Sequence, residues 1–262
     1  MLDTLIGLDH LVVAVRDLDA AAAEWAALGF TMSPRGLHSA HMGSGNYTMM
    51  FGEDYLELLG VVNPTPHNEA LRGFLAGREG MERAAFTTTD AEKGAAALRA
   101  KGLTGTNGPV HFGRPVPLPD GTETEARFSV FHYPRDEAPG GMRIFACQHH
   151  TRPAVWVPQL QRHANGVTGI RRALVATETP GTAAAHLARL IEGSVTQDGD
   201  VRVVETGPNR ASIGFAPRAI IAALARCAEA ALPVEGGAAM ILSTPTPRPP
   251  VLVTGTAVIF EG

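Results

Sequence analysis

Asp17-Leu-Asp-Ala-Ala-Ala-Ala-Glu-Trp-Ala-Ala-Leu-Gly29 and Asp90-Ala-Glu-Lys-Gly-Ala-Ala-Ala-Leu-Arg-Ala-Lys-Gly102 share one layout at an offset of 73 residues. Each follows an apolar run, opens on an Asp suited to cap a helix, continues through an Ala-rich amphipathic segment and closes on Gly. Self-similarity at a fixed offset marks a repeated supersecondary unit. Upstream, Leu8 to Val15 is rich in Leu and Val and reads as a buried strand. Downstream, strands are expected at Phe30–Ser33, Tyr47–Phe51 and Tyr55–Val61, the last two joined by a turn at Gly52-Glu53-Asp54. The unit is therefore strand-helix-strand-strand-strand.

The second copy keeps this order. Ala84–Thr88 is an expected strand, Ala91–Lys101 a helix, and Arg127–Tyr133 and Met142–His149 two further strands. Thr104–Thr124, with its Gly and Pro, reads as a long irregular connection of the kind that often lies over a binding site. A third copy starts at Ile170–Thr177, with Pro180 placed for a first helical turn, and a helix is expected over about 218–231. The strands near 238–242 and 258–260 have no helix between them, so a fourth copy is reduced. The expected organisation is paired modules over 1–156, a linker over 157–165, and the third and reduced fourth modules over 166–262.

Composition narrows the function classes. A formal net charge of -4 offers no electrostatic attraction to nucleic acid or an anionic membrane. Two cysteines are too few for a disulfide framework, and Cys147 in its apolar run reads as a small buried hydrophobe. The N-terminal stretch lacks the basic region and apolar core of a signal peptide, and no run has the length of a membrane span. A cytoplasmic protein with a small-molecule substrate is the expectation.

The tandem unit together with Leu8-Asp-His-Leu11, Gly43-Ser-Gly-Asn46, Asp54-Tyr-Leu-Glu-Leu58 and Cys147-Gln-His-His-Thr151 resembles the vicinal oxygen chelate superfamily, and within it a glyoxalase-like subgroup. The resemblance implies an α+β fold in which tandem βαβββ modules pair into cupped mixed sheets. It also implies metal ligands on the first and last strands of each module. Carried over by position, these are His10 and Glu57 in the first module, with Arg83 and Gln148 in the second. Arg83 stays protonated and cannot ligate, so the implied metal set is His10, Glu57 and Gln148 or His149, holding a divalent Zn, Fe, Mn or Ni. His10 and Glu57 would also be the catalytic pair. Alternation along the last strand puts Gln148 and His150 on one face and His149 on the other, and the resemblance makes Gln148 the inward one.

The residues themselves leave other readings open. His10 could be a satisfied core histidine, and Glu57, flanked by Leu56 and Leu58, needs a partner if buried, which Arg83 could supply as an ion pair. Arg83, His41, Asn46 and His150 are the candidate substrate contacts, while His38 reads as a solvated loop residue. The expected function is a metal-dependent lyase or isomerase acting on a small oxygenated substrate. A metal-free small-molecule-binding protein of the bleomycin-resistance type and an extradiol-type dioxygenase stand as alternatives. A homodimer stays open, although modules within one chain could complete a cup without a second subunit.

Overall fold

The computed structural model describes residues 2–118 and 120–262. Module one consists of β1 (Leu5–Val15), α1 (Leu18–Ala27), β2 (Gly36–Leu37), β3 (Ser44–Met50) and β4 (Tyr55–Val61). After α2 (Glu69–Gly77) comes module two: β5 (Gly80–Thr88), α3 (Ala91–Ala100), β6 (Asn107–Pro117), β7 (Glu123–His132) and β8 (Arg143–His149). The short α4 (Arg152–Val155) leads to module three, with β9 (Gly169–Ala176), α5 (Pro180–Ile191), β10 (Val195–Asp198), β11 (Val201–Val204) and β12 (Ser212–Ala216). Helix α6 (Arg218–Ala225) then precedes β13 (Gly236–Ser243), β14 (Arg248–Val253) and β15 (Thr256–Glu261). The first two modules share an eight-stranded mixed sheet, order β2-β3-β4-β1-β5-β8-β7-β6, and the rest form a seven-stranded one, order β10-β11-β12-β9-β13-β15-β14. Among the described residues no helix is long and apolar enough to cross a membrane.

The helices form as their caps dictate. Asp17 Oδ1 accepts from the backbone N–H groups of Asp19 and Ala20, and Asp90 Oδ1 accepts from Lys93. Trp25, Ala91, Ala95 and Leu98 are fully buried on the faces that α1 and α3 turn to the sheet. Helices α1, α3 and α5 lie on one side of the two sheets and share a single apolar core. The other face of the eight-stranded sheet is the cup.

Three sequence expectations are corrected. Phe30–Ser33 is not a strand: the second strand is displaced to Gly36–Leu37, beyond Pro34, which has no N–H to give to a ladder. Nor is Thr104–Thr124 irregular, because β6 occupies Asn107–Pro117 and pairs along its length with β7. Its many polar and Pro residues belong to a sheet edge, where they are tolerated. The helix expected over 218–231 ends earlier, at Ala225, with Arg226 in a left-handed conformation.

Leu11 lies opposite Ala84, its own counterpart 73 residues on, so a pseudo-two-fold axis crosses the antiparallel β1/β5 pair there. Each strand carries a bulge at the equivalent place. The register skips Asp9 on β1 and Glu82 on β5, and the extra residue re-aims its side chain. Asp9 thus joins His10, and Glu82 joins Arg83, on the concave side.

Candidate functional site

Two cross-strand rows pave the floor of the cup. One runs Thr48–Glu57–Val12–Arg83–Arg143, and the next runs Tyr55–His10–Ala85–Phe145–His132. Above them opens a cavity of about 670 Å³. Helix α2 covers one end by packing Leu71 and Leu75 against Val12, Ala14 and Leu59. The opposite end is filled by Val155, Trp156, Val157 and Leu160, so the stretch after residue 156 is packed against the sheet rather than hanging free.

At the centre is a chain of buried polar groups. Asp9 is fully buried and accepts from three neighbours: His10 Nδ1 at 2.7 Å, His149 Nε2 at 2.9 Å and Thr87 Oγ1 at 2.8 Å. Burial alone would raise its pKa, but the His149 and His10 imidazoles outweigh burial and hold the carboxyl well below the usual range. An ionised Asp9 retains the proton on His10 Nδ1, which leaves Nε2 pointing at Glu57 Oε2, 3.5 Å away. Glu57 Oε1 accepts from Asn46 Nδ2 at 2.7 Å. His10 also stacks on Tyr55, ring centroids 4.3 Å apart, and meets the edge of Phe145. Imidazole and carboxylate are thereby fixed in orientation at the cavity wall.

The structure brings together His10, Glu57, Asn46 and Arg83, all of which line the cavity. Gln148 does not join them. Its Oε1 accepts from Ala91 N–H and its Nε2 donates to the Thr89 carbonyl, so the amide tethers the start of α3 on the convex side. The inward set of β8 is Phe145, Cys147 and His149, and by the two-fold the counterpart of Glu57 is Phe145. His150 also leaves the site: it is exposed, and its Nε2 meets Ser129 Oγ beside His111. His41 is exposed against His67, whereas His38, expected in solvent, lines the cavity and bonds Ser44 Oγ at 2.9 Å. Burial lowers the His38 pKa. The ion pair considered between Arg83 and Glu57 is not formed either, because Arg83 Nε donates to Glu82.

Sequence reasoning passed over Asp9 and Glu82 and, between Gln148 and His149, turned the wrong one inward. A signal existed for the first two: Asp9-His10 and Glu82-Arg83 repeat an acid followed by a base at the same offset. For β8 no signal existed, since Ile144 and Ala146 on one face are as apolar as Phe145 and Cys147 on the other.

Can these residues hold a metal? His10 Nε2 and Glu57 Oε2 lie close enough to share a cation, but the two equivalent positions across the axis offer a guanidinium and a phenyl ring. The His10–Glu57 pair thus lacks the donors that the resemblance implied, and the residues do not fit that centre. Among the described residues, the three donors that converge are Asp9, Cys147 and His149, all within 4.8 Å of one another. Both Asp9 oxygens are already engaged there. Burial, with the Asp9 and Glu57 charges, raises the Cys147 pKa far above its ordinary value and keeps it a thiol. Asp9, bonded to His149, serves His10 as a hydrogen-bonded support, and Cys147 packs beside them.

Comparison with known proteins agrees with the architecture. A family model described as "Glyoxalase-like domain" matches residues 8–191. A hypothetical protein from Staphylococcus aureus superposes with a TM-score of 0.75 at 12% identity, covering 97% of this chain and 98% of that one, and this likeness shows the fold alone. Methylmalonyl-CoA epimerase from Mycobacterium tuberculosis is 21% identical with a TM-score of 0.43, covering 59% of this chain and 96% of that one. A Streptomyces coelicolor methylmalonyl-CoA epimerase in complex with 2-nitronate-propionyl-CoA is 24% identical with a TM-score of 0.42, covering 56% and 100%. No curated protein matches the chain.

Proposed function

Because this chain belongs to the glyoxalase-like domain family, we propose that it is an enzyme of the lyase or isomerase kind, moving a proton at a carbon beside a carbonyl of a small oxygenated substrate. The observation that carries this reading is the Asp9–His10–Glu57 chain ending at the cavity wall. Glu57 is the base. The Asn46 amide engages one of its oxygens and leaves the other facing His10 Nε2. A proton taken from carbon by Glu57 can pass to His10 Nε2, since Asp9 keeps the Nδ1 proton in place and offsets the imidazolium charge. Negative charge that develops on the substrate oxygen would be met by the Arg114 guanidinium, which lines the cavity on the side of Asn46 and Tyr55. Apolar walls from Tyr55, Phe128 and Phe145 keep water from the reacting carbon. No step passes through a metal, in keeping with the donor set.

The test is proton exchange. Incubated in D₂O with a panel of small 2-oxo and 3-oxo acids and their esters, the protein is expected to wash deuterium into the position beside a carbonyl, read by proton NMR. Glu57→Gln should slow the exchange by about 10²–10⁴-fold, the usual worth of a positioned general base, with the folded state unchanged by circular dichroism. Ligands that bind without exchanging would favour the metal-free binding protein instead. Stoichiometric metal in chelator-free protein, lost in Cys147→Ser, would favour a cation held at Asp9, Cys147 and His149.

A further inference from the structure

The cavity has a second polar end. On the floor row that begins at Glu57, the next residues beyond Val12 are Arg83 and Arg143, on adjacent strands. Arg135 and His132 line the same end, which continues into a small recess behind Phe145. One buried carboxylate serves the two strand arginines: Glu82 accepts from Arg83 Nε and, at 2.9 Å, from Arg143 Nη1. Burial would raise the Glu82 pKa, yet the charges of Arg83 and Arg143 win and lower it, so the residue is ionised. Among the described residues, the Nη groups of Arg83, Nη2 of Arg143 and the whole guanidinium of Arg135 meet no protein acceptor. Burial and the repulsion of Arg83 lower the Arg143 pKa, with a further contribution from Arg135, so the cations crowd one another. His132, pushed down to about 4 by burial and by the same two arginines, is a neutral imidazole able to donate a hydrogen bond. The acids nearby do not balance the end. Glu137 is taken up by His186 and Arg189, and Asp136 is exposed at the rim.

Guanidinium groups with unfilled, inward-facing N–H donors are suited to planar oxyanions, which they bind through paired hydrogen bonds. We propose that the Arg83–Arg143 end is a subsite for an anionic head group, a carboxylate or a phosphate, carried by the substrate. This deepens the proton-transfer reading and rests on it for the word substrate, but the subsite itself is defined by binding. Strands lie about 4.8 Å apart, so Glu57 and Arg83, with Val12 between them, are separated by about 10 Å at Cα. Both side chains reach inward from that span. A compact organic anion therefore fits, its head group at the arginines and its acidic carbon at Glu57, with Val12 and Phe145 beneath the intervening carbons.

Titration calorimetry of the full chain with succinate and with inorganic phosphate tests this. Saturable binding of at least one anion is expected, and the tighter of the two identifies the head group. Arg143→Gln and Arg83→Gln should each weaken that binding by about tenfold or more, while Arg143→Lys retains part of it. Glu57→Gln, which removes a negative charge from the same cavity, should bind the anion at least as tightly as the wild type even though it loses proton exchange, so a failure of the catalytic reading would leave this result intact. Should removal of a Glu82 partner unfold a variant, the arginine Nε–H resonances of the wild type provide the same test: two of them should shift along the calorimetric isotherm. Absence of saturable binding of either anion, or unchanged affinity in folded Arg83→Gln and Arg143→Gln, would overturn the subsite.

Discussion

At the scale of single residues, the decisive feature is a charge placed by a bulge. Asp9 turns inward only because β1 carries one residue more than β5 opposite it, and that residue holds His10 in a single tautomer. Asp9 acts through His10 and is a positioning residue. Asp9→Asn should lower turnover by about 10²–10⁴-fold and shift the His10 tautomer equilibrium, visible as exchanged nitrogen-15 shifts of Nδ1 and Nε2. The same substitution removes the buried partner of two imidazoles and should cost about 3 kcal/mol of stability, measured by urea unfolding. A loss of stability with the His10 tautomer unchanged would reduce Asp9 to a structural role. His10 and Glu57 were legible in the sequence through the family resemblance, as a histidine and an acid on the first and last apolar strands of module one. Gln148 was misplaced because both faces of β8 are apolar, and alternation without polarity has no direction.

At the scale of elements, the two sheets answer the same question differently. A helix follows the fourth strand in each half: α2 after β4 and α6 after β12. Helix α6 carries Ile221, Ala222 and Ala225 into the concave side of the seven-stranded sheet, against Leu174, Ala216, Ala238 and Ile259. That cup is filled with hydrocarbon. Helix α2 offers fewer apolar contacts to its sheet, and the space beside it is the cavity. Ile221→Ala should therefore cost about 2–4 kcal/mol through lost burial and a residual void, seen as a lower Tm, while proton exchange at Glu57 stays at the wild-type rate. An equal loss of exchange would mean that the two cups are coupled. The repeat in the sequence could show that both halves contain similar units, but not that only one cup stays open. That depends on how far α2 and α6 descend into their sheets, which side-chain volume and connection length decide together.

At the scale of the whole molecule, the halves are joined by polar contacts as well as by the shared core. Asp54, in the β3–β4 turn, accepts from the Ile170 N–H at 3.1 Å, and Trp25 Nε1 donates to Thr254 Oγ1 at 3.0 Å. Gly237 lies so near β5 that an added Cβ would stand 2.6 Å from the Met81 carbonyl oxygen. Burial pushes the Asp54 pKa up to about 7, with the Ile170 N–H and the Arg210 charge only partly opposing it. The sign follows directly. An acid whose pKa is raised on folding stabilises the fold below its unfolded value near 3.8, and this advantage is lost as pH rises toward 7. At about 1.4 kcal/mol per unit, the loss is as much as about 4 kcal/mol. Asp54→Asn should flatten the fall in Tm between about pH 4 and 8 while leaving the Tm at pH 4 nearly unchanged, and a parallel curve in the variant would remove Asp54 as the cause. The sequence alone determined the modules, their α+β class and the presence of His10 and Glu57 on their strands, because helix caps and hydrophobic periodicity act over a few residues. The tertiary structure decided which face of β8 looks inward, which acid braces which base and which cup is hollow, because bulges, cross-strand register and the depth of a packed helix are relations between segments far apart in the chain.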